Sequence, residues 1–509
     1  MSAVPSLNTD TKKATGFTEG EVADSAQRLA EFGYKEEITR EISSLACAVF
    51  PFATVALLPN WLTSFNTALL EGGAMTIFWG WFVGSPFVLC LGLSIAEVCS
   101  AYPVAGGIFS WCYVLAPDGY KRITSWVVGY LNLIGIIAAQ GAVAYSLSNF
   151  VLSLVQICRG EVIESMGTHV GIYAAICVFT SAVALLGLKF ADAFTKWMGA
   201  ISVIGTILFM IIPIDRLQTP EFVFTEFINQ TGYENSGLVF LLGLLQVAWS
   251  YNGFFSSTSI AEGAKNSTVT IPRGIIICFF ALFVQGTCLM IPIMFAIQDF
   301  DALTSSPYPM ATYLLQATNN NIGVSTFLVL ILLIIQFGCL THLTVGLSQF
   351  MWAMSRDGML PLSKLYYQLK WEQKVPVNVV IVQCLITIVL ILPAFASDVY
   401  WLAFLDTAII CQTATAAIPF LCRLIWRRQE KFTGPFCLGR FSVPLNFITV
   451  LWCLFLCVIL SFPTVSPVEP ETMNYTCLMI GFCTLFSLCF WFTTGRKIYQ
   501  GPNCNVHEK

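Results

Sequence analysis

The sequence predicts an all-α membrane protein with twelve transmembrane helices. Three observations predict it. Hydrophobic residues make up 56% of the 509 positions and charged residues only 11%, where a soluble globular chain carries about 25%. Uncharged runs of about eighteen or more residues recur along the chain, each long enough to cross a bilayer. Of the 25 Lys and Arg, all but Arg159 and Arg216 fall on the two tails and one alternate set of connecting loops, or within about one turn of those loops as Lys196 and Arg423 do, which the positive-inside rule assigns to the cytoplasm.

Composition also excludes several classes. A net charge of −4 without a basic, aromatic-rich patch gives no sign of nucleic-acid binding. Most of the 19 Cys lie inside apolar runs as small hydrophobes, and only Cys158 falls clearly in a predicted outer loop, so no disulfide framework is expected. No spaced Cys/His set points to a metal, and no Gly-rich Lys-Ser/Thr loop points to ATP. Neither a paired-carboxylate site nor a nucleophile–base set stands out, so an enzyme is not expected. No cofactor is implied; the expected partners are a small solute, protons and the bilayer.

Residues 1–41 read as a cytoplasmic tail whose last part, 24–37, is amphipathic and suited to a membrane surface. Span 1 covers Ile42–Leu70, too long for one straight helix, with Pro51 and Pro59 interrupting it around 52–56. Span 2, Met75–Val98, holds Gly80 and Gly84 at a spacing that admits a close neighbour. Spans 3, 4 and 5 are Ile123–Leu154, Gly171–Leu188 and Ala193–Ile214, with Lys196 one turn into span 5. Span 6 begins near Gly237 and meets Trp249-Ser250-Tyr251-Asn252-Gly253, then Phe254-Phe255-Ser256-Ser257-Thr258. Gly, Asn and clustered hydroxyls at mid-membrane depth suit a broken helix that lines a cavity, because free backbone groups in hydrocarbon cost several kcal/mol each. Broken helices of this kind hold small charged solutes in secondary transporters.

Span 7 is Gly274–Ile297, and the loop Gln298–Asn321 has room for short helices. Span 8, Val324–Met354, carries His342, read as a packing residue rather than a ligand. Span 9 is Val377–Pro393. Span 10, Val399–Ile425, places Asp406 about ten ångströms inside the outer edge at 1.5 Å per residue. Spans 11 and 12 are Leu445–Phe462 and Met473–Thr494, followed by a short polar tail. With both ends inside, the sequons at Asn229 and Asn474 fall on outer loops as glycosylation candidates, and the sequon at Asn266 falls inside.

Four separated motifs carry a family resemblance. Ala96-Glu97-Val98-Cys99-Ser100-Ala101-Tyr102-Pro103-Val104-Ala105-Gly106-Gly107, ending at Trp111, is the most specific. The others are the span 6 break with Ala261-Glu262-Gly263-Ala264-Lys265-Asn266, the Ser355-Arg356-Asp357-Gly358-Met359-Leu360-Pro361 run, and Val375-Pro376-Val377-Asn378. Together with Leu57-Leu58-Pro59 and the tail segment they resemble the amino acid–polyamine–organocation permeases, in the fungal branch that takes amino acids, choline and 4-aminobutyrate. The chain departs from the family pattern at span 1, which lacks the usual glycines, at Gly263, which replaces one acid of a pair, and at Phe255, where some members carry an acidic gate residue.

The resemblance implies a LeuT-type five-plus-five inverted repeat with discontinuous helices 1 and 6. It divides the chain into a tail (1–41), a ten-helix transport core (42–425), two peripheral helices with their preceding loop (426–494) and a second cytoplasmic tail (495–509). It implies a substrate site at Phe52, Ala53 and Thr54 in span 1 and Trp249, Ser250, Tyr251, Asn252, Gly253 and Ser256 in span 6, with Trp249 as an aromatic lid. Asp406, Glu97 and Lys196 are the candidate coupling or cation sites. The expected function is proton-coupled import of amino acids or related amines (4-aminobutyrate, choline, polyamine-like) by alternating access. The plasma membrane is the expected location, with a vacuolar or other internal membrane left open. A nutrient sensor with a permease body and an exchanger in an internal membrane remain as alternatives.

Overall fold

In a computed structural model, residues 37–501 are described, apart from 39, 164, 212–216, 372–373, 396–399, 428–431, 433 and 470–472. Most of the two expected tails, residues 1–36 and 502–509, therefore lies outside the described residues. The chain is an α-helical bundle. Eleven helices among the described residues are long and apolar enough to cross a membrane, and a shorter apolar pair occupies Ser236–Ser250.

Span 1 is two helices, α1 (Ser44–Val55) and α2 (Leu57–Leu70). They meet at Ala56, whose φ of 42° lies in the left-handed region. The sequence expectation of a break here holds, but the prolines do not make it. Pro51 lies within α1, and Pro59 occupies the first turn of α2, where a missing amide costs nothing. A two-residue strand, β1 (Glu71–Gly72), pairs antiparallel with β2 (Ile228–Asn229) before the chain turns into α3 (Gly73–Ala101). After α4 (Ile108–Leu115) come α5 (Lys121–Arg159), α6 (Met166–Ala184) and α7 (Leu188–Met210).

Span 6 opens with α8 (Ser236–Leu242) and α9 (Leu245–Ser250), leaves helical geometry at 251–255, and resumes as a 3-10 helix over Ser256–Gly263. The second half is thus tighter than the α-helix the sequence predicts. Then follow α10 (Ser267–Phe295), two short helices in the 298–321 loop, and α11 (Ile322–Arg356). The bundle ends with α12 (Val377–Val389), α13 (Tyr400–Trp426), α14 (Ser442–Ile459) and α15 (Thr476–Phe490). The most apolar stretch of span 1 is 83% buried and that of the last span only 17%, so the broken helix sits at the centre and α15 on the rim.

The two broken spans are tied together at each end. On the inner side a parallel bridge joins Ile42 to Ala264, with Ile42 N donating to Gly263 O at 3.1 Å and Lys265 N to Ile42 O at 3.0 Å. On the outer side Gln246 of α9 donates to Trp61 O at 3.0 Å and accepts from Ser64 at 2.5 Å. The small residues of span 2 receive α9: a Cβ on Gly84 would stand 2.4 Å from Val247 Cγ1, so only glycine lets the two helices approach this closely.

Candidate functional site

A cavity enclosing about 590 Å³ lies where the breaks face each other. From the breaks it is lined by Thr54, Gly253, Phe255 and Ser256. Asn132, His342 and Gln412 close the opposite wall, and Gly106 and Gly107 approach from the loop before α4. Among its described lining residues none is Asp, Glu, Lys or Arg. Gly253 has φ +87°, which L side chains rarely adopt, and its α-carbon faces Thr54, whose methyl would sit 3.6 Å from an added Cβ.

The two breaks differ in how their polar groups are satisfied. At the first, Cys339 Sγ donates to Thr54 O at 2.9 Å and Asn60 Nδ2 to Val55 O at 2.6 Å. Gln336 of α11 then holds Asn60 Oδ1 at 2.8 Å and Ser146 Oγ at 2.6 Å. Carbonyls freed by the kink therefore have partners. At the second break the backbone is closed by tight turns, such as Asn252 N to Trp249 O at 2.9 Å and Ser256 N to Gly253 O at 2.9 Å. Yet the hydroxyls of Ser256 and Ser257 and the indole nitrogen of Trp249 are buried without a hydrogen-bond partner.

Of the nine residues expected at the substrate site, Thr54, Gly253 and Ser256 line the cavity. Asn252 lines an adjoining cavity of about 390 Å³ with Tyr251, and Phe255 and Gln412 border both spaces. Phe52 and Ala53 are buried within α1. Trp249 does not line the main cavity; Phe255 occupies its wall instead. Ser250 donates to Gln246 O in its own helix at 2.6 Å. Tyr251 stacks on Trp81 with centroids 4.8 Å apart, and its hydroxyl meets Ser85 at 3.0 Å. These residues brace the break from behind.

The three coupling candidates lie elsewhere in the bundle. Glu97 is buried against Arg423 at 3.2 Å, accepts from Leu438 N at 3.0 Å and is bonded to Ser442, joining α3 to α13 and α14. Lys196 pairs with Asp192 at 2.7 Å, and Asp192 in turn accepts from Ser43 N at 2.8 Å, fixing the start of α1. Asp406 is buried near the outer end of α13 and accepts from Asn474 Nδ2 at 3.2 Å. It is not among the described residues that line the cavity. The two outer sequons also differ: Asn229 is exposed, and Asn474 is half-buried with its amide engaged by Asp406, Leu460 O and Phe462 O.

Sequence reasoning missed Asn132, Gln412 and the cavity role of Gly106-Gly107. The glycine pair stands in the most specific motif, but a motif gives no sign of which residues face a cavity. Isolated amides in long helices carry no spacing signal. His342 is as expected a satisfied residue: Nδ1 meets Gly338 O at 2.6 Å and Nε2 meets Thr195 Oγ1 at 2.9 Å, although its ring also borders the cavity. The retained acid Glu262 forms a bidentate buried pair with Arg356, at 2.8 and 3.1 Å, and accepts from Ala105 N at 3.0 Å. Three of the sequence motifs thus converge at one inner contact.

An apolar helical bundle with two interrupted spans facing an uncharged cavity suits the passage of a small solute across a membrane. A family model described as amino acid permease matches residues 42–483, and the chain belongs to that family. An uncharacterized amino-acid permease of Schizosaccharomyces pombe is 31% identical, covering 95% of this chain and 90% of its own. The amino-acid permease BAT1 of Arabidopsis thaliana is 29% identical, with 95% and 98% covered. The GABA-specific permease of Saccharomyces cerevisiae is 28% identical, with 98% and 90% covered. These relatives agree with the fungal branch of the amino acid–polyamine–organocation superfamily and with amino acid transport across a membrane.

Proposed function

We propose that this permease imports neutral, zwitterionic amino acids or 4-aminobutyrate by proton-coupled alternating access, with the substrate held between the two breaks. The observation that carries the reading is the uncharged cavity bordered by the orphaned hydroxyl of Ser256. The orphaned Ser256 hydroxyl and the side-chain amides of Asn132 and Gln412 offer neutral donors and acceptors along that lining. Both ends of a zwitterion are met without a charged side chain. Choline or a polyamine would bring net positive charge to a lining that has no described carboxylate, so these substrates rank behind. The printed name of the yeast relative adds support for 4-aminobutyrate.

The architecture behind this reading is twelve spans in a five-plus-five inverted repeat over 42–425, with two peripheral helices after it, in the plasma membrane. Proton coupling rests on the branch. The test is uptake of labelled amino acids by transporter-deficient cells expressing the chain. Uptake should rise at acid outside pH and collapse with a protonophore. Uptake that requires sodium and ignores the protonophore would overturn the coupling, and uptake of choline or polyamines alone would overturn the substrate class.

A further inference from the structure

Among the described residues lining the cavity, His342 is the one of a type that changes charge near neutral pH. Its ring is buried and held by three helices. On its own helix α11, Nδ1 meets Gly338 O at 2.6 Å. On α7, Thr195 Oγ1 meets Nε2 at 2.9 Å, and Phe194 stacks on the ring with centroids 5.4 Å apart. On α1, Phe50 meets the ring edge-on at 5.1 Å. The Phe50 carbonyl in turn accepts from the Thr54 hydroxyl at 2.7 Å, and Thr54 lines the cavity beside the span 1 break.

The two ring nitrogens have partners of different character. A carbonyl only accepts, so Gly338 O keeps a hydrogen on Nδ1 whether the ring is neutral or charged. A hydroxyl can donate or accept. Thr195 donates to Nε2 of the neutral ring. It accepts from Nε2–H of the imidazolium while turning its own hydrogen to the Ala191 carbonyl one turn back in α7. Both charge states keep their hydrogen bonds, and the stacked Phe194 face favours the cation. The charged groups on the surrounding elements are engaged with one another or exposed. Asp192 and Lys196 of α7 are paired at 2.7 Å, and Lys189 is exposed. Arg356 of α11 is bound to Glu262 of the 3-10 helix, and Arg273 of α10 is exposed. The bases of α5 stand at its two ends. The remaining titratable groups are neutral types: Cys47 on α1, Cys339 on α11, Cys278 on α10, Tyr130 and Tyr145 on α5, and His169, Tyr173 and Cys177 on α6, where His169 is bonded to Ser148.

We propose that His342 is the proton-binding residue of transport, charged when the solute's carboxylate is in the cavity and neutral when the cavity is empty. The inference rests on the proton coupling and zwitterionic substrate proposed above and names where the proton sits. An imidazolium in the empty cavity would have no counter-charge in apolar surroundings and is disfavoured. A carboxylate beside it supplies that charge, so proton and solute each favour the binding of the other. Water in the outward-facing cavity gives a proton to the Nε2 lone pair, and Thr195 turns its hydrogen away. When the solute leaves to the inside, Nε2 returns the proton to water there and Thr195 turns back. One proton then crosses with each zwitterion.

The chain has only 3 His, so their protonation can be read directly. The test uses the full-length protein labelled with nitrogen-15 histidine, freed of any affinity tag and reconstituted in lipid vesicles. Solid-state NMR follows the imidazole nitrogens against pH, and His342→Gln identifies the signal. Saturating 4-aminobutyrate, or the neutral amino acid that the cells take up, should raise the pH at which the His342 ring becomes charged by about one unit or more. The ratio of uptake at pH 5 to uptake at pH 7.5 should fall to about one in His342→Gln, read as a ratio so that slower transport cancels. Thr195→Val removes the acceptor of the charged ring and should move the NMR titration to lower pH, whereas Thr195→Ser should leave it near wild type. That pair keeps the test alive should His342→Gln fail to fold. A His342 ring that titrates at the same pH with and without the solute overturns the proposal, as does a wild-type uptake ratio in His342→Gln. Wild-type uptake that ignores a protonophore overturns the proton coupling proposed above instead, and the NMR titration then decides on its own whether His342 binds a proton with the solute.

Discussion

The two interrupted helices solve the same problem in opposite ways. In span 1 the chain turns through Ala56, and the carbonyls it frees at Thr54 and Val55 are taken up by Cys339 and Asn60. In span 6 the chain turns through Gly253 and leaves the hydroxyls of Ser256 and Ser257 buried and unpartnered. A buried polar group without a partner is costly in a finished core, so it marks a place completed by something else. The proposed function makes the satisfied break a fixed wall and the unsatisfied break the face that meets a solute.

Substitutions at five positions test this contrast, beginning with the largest effect. Gly253→Val forces a β-branched residue into a left-handed backbone and fills the space towards Thr54. It should lower uptake per surface molecule by about 100-fold or more while surface labelling stays near wild type. Gly253→Ala should be milder, with a raised KM. Normal flux per surface molecule in the valine variant would remove the break from the site.

Asn60→Ala should have the reverse signature. It strands Val55 O and disconnects Gln336, at a cost of about 1–3 kcal/mol. Thermal unfolding in detergent should show the loss, with KM unchanged in the protein that remains folded. A changed KM with unaltered stability would make span 1 an adaptable face as well.

Much of this contrast was legible in the sequence, and the parts that were not have physical reasons. The span 6 break was visible because Gly253 lies among hydroxyls in an otherwise apolar run. The span 1 break was visible from length and from Leu57-Leu58-Pro59, but its position at Ala56 was not, since alanine gives no sign of a left-handed residue. The lining residues Asn132 and Gln412 were hidden because their relevance depends on which helix faces which. The position of Asp406 outside the cavity lining was hidden for the same reason.

Ser256→Ala and Ser257→Ala remove orphaned hydroxyls and should leave thermal stability unchanged or slightly higher. Ser256→Ala, whose residue lines the cavity, should raise KM by about five- to ten-fold, the loss of one hydrogen bond to the solute. An unchanged KM would exclude that hydroxyl from contact. The smallest effect is expected for Ala56→Gly, which relieves a left-handed alanine and should stabilise the fold by up to about 1 kcal/mol, with transport unaltered. Lower stability there would show that the alanine methyl packs better than the backbone is strained.

The most direct measurement is protection of Ser256→Cys from a thiol reagent, in a background where Cys504 and the cysteines exposed among the described residues, Cys158, Cys437, Cys477 and Cys489, are replaced by Ser. The site reading predicts that the new thiol is labelled in the free protein. It also predicts that saturating 4-aminobutyrate, or whichever neutral amino acid the cells take up, slows labelling several-fold. Labelling at the same rate with and without a substrate that the same protein demonstrably transports would contradict it.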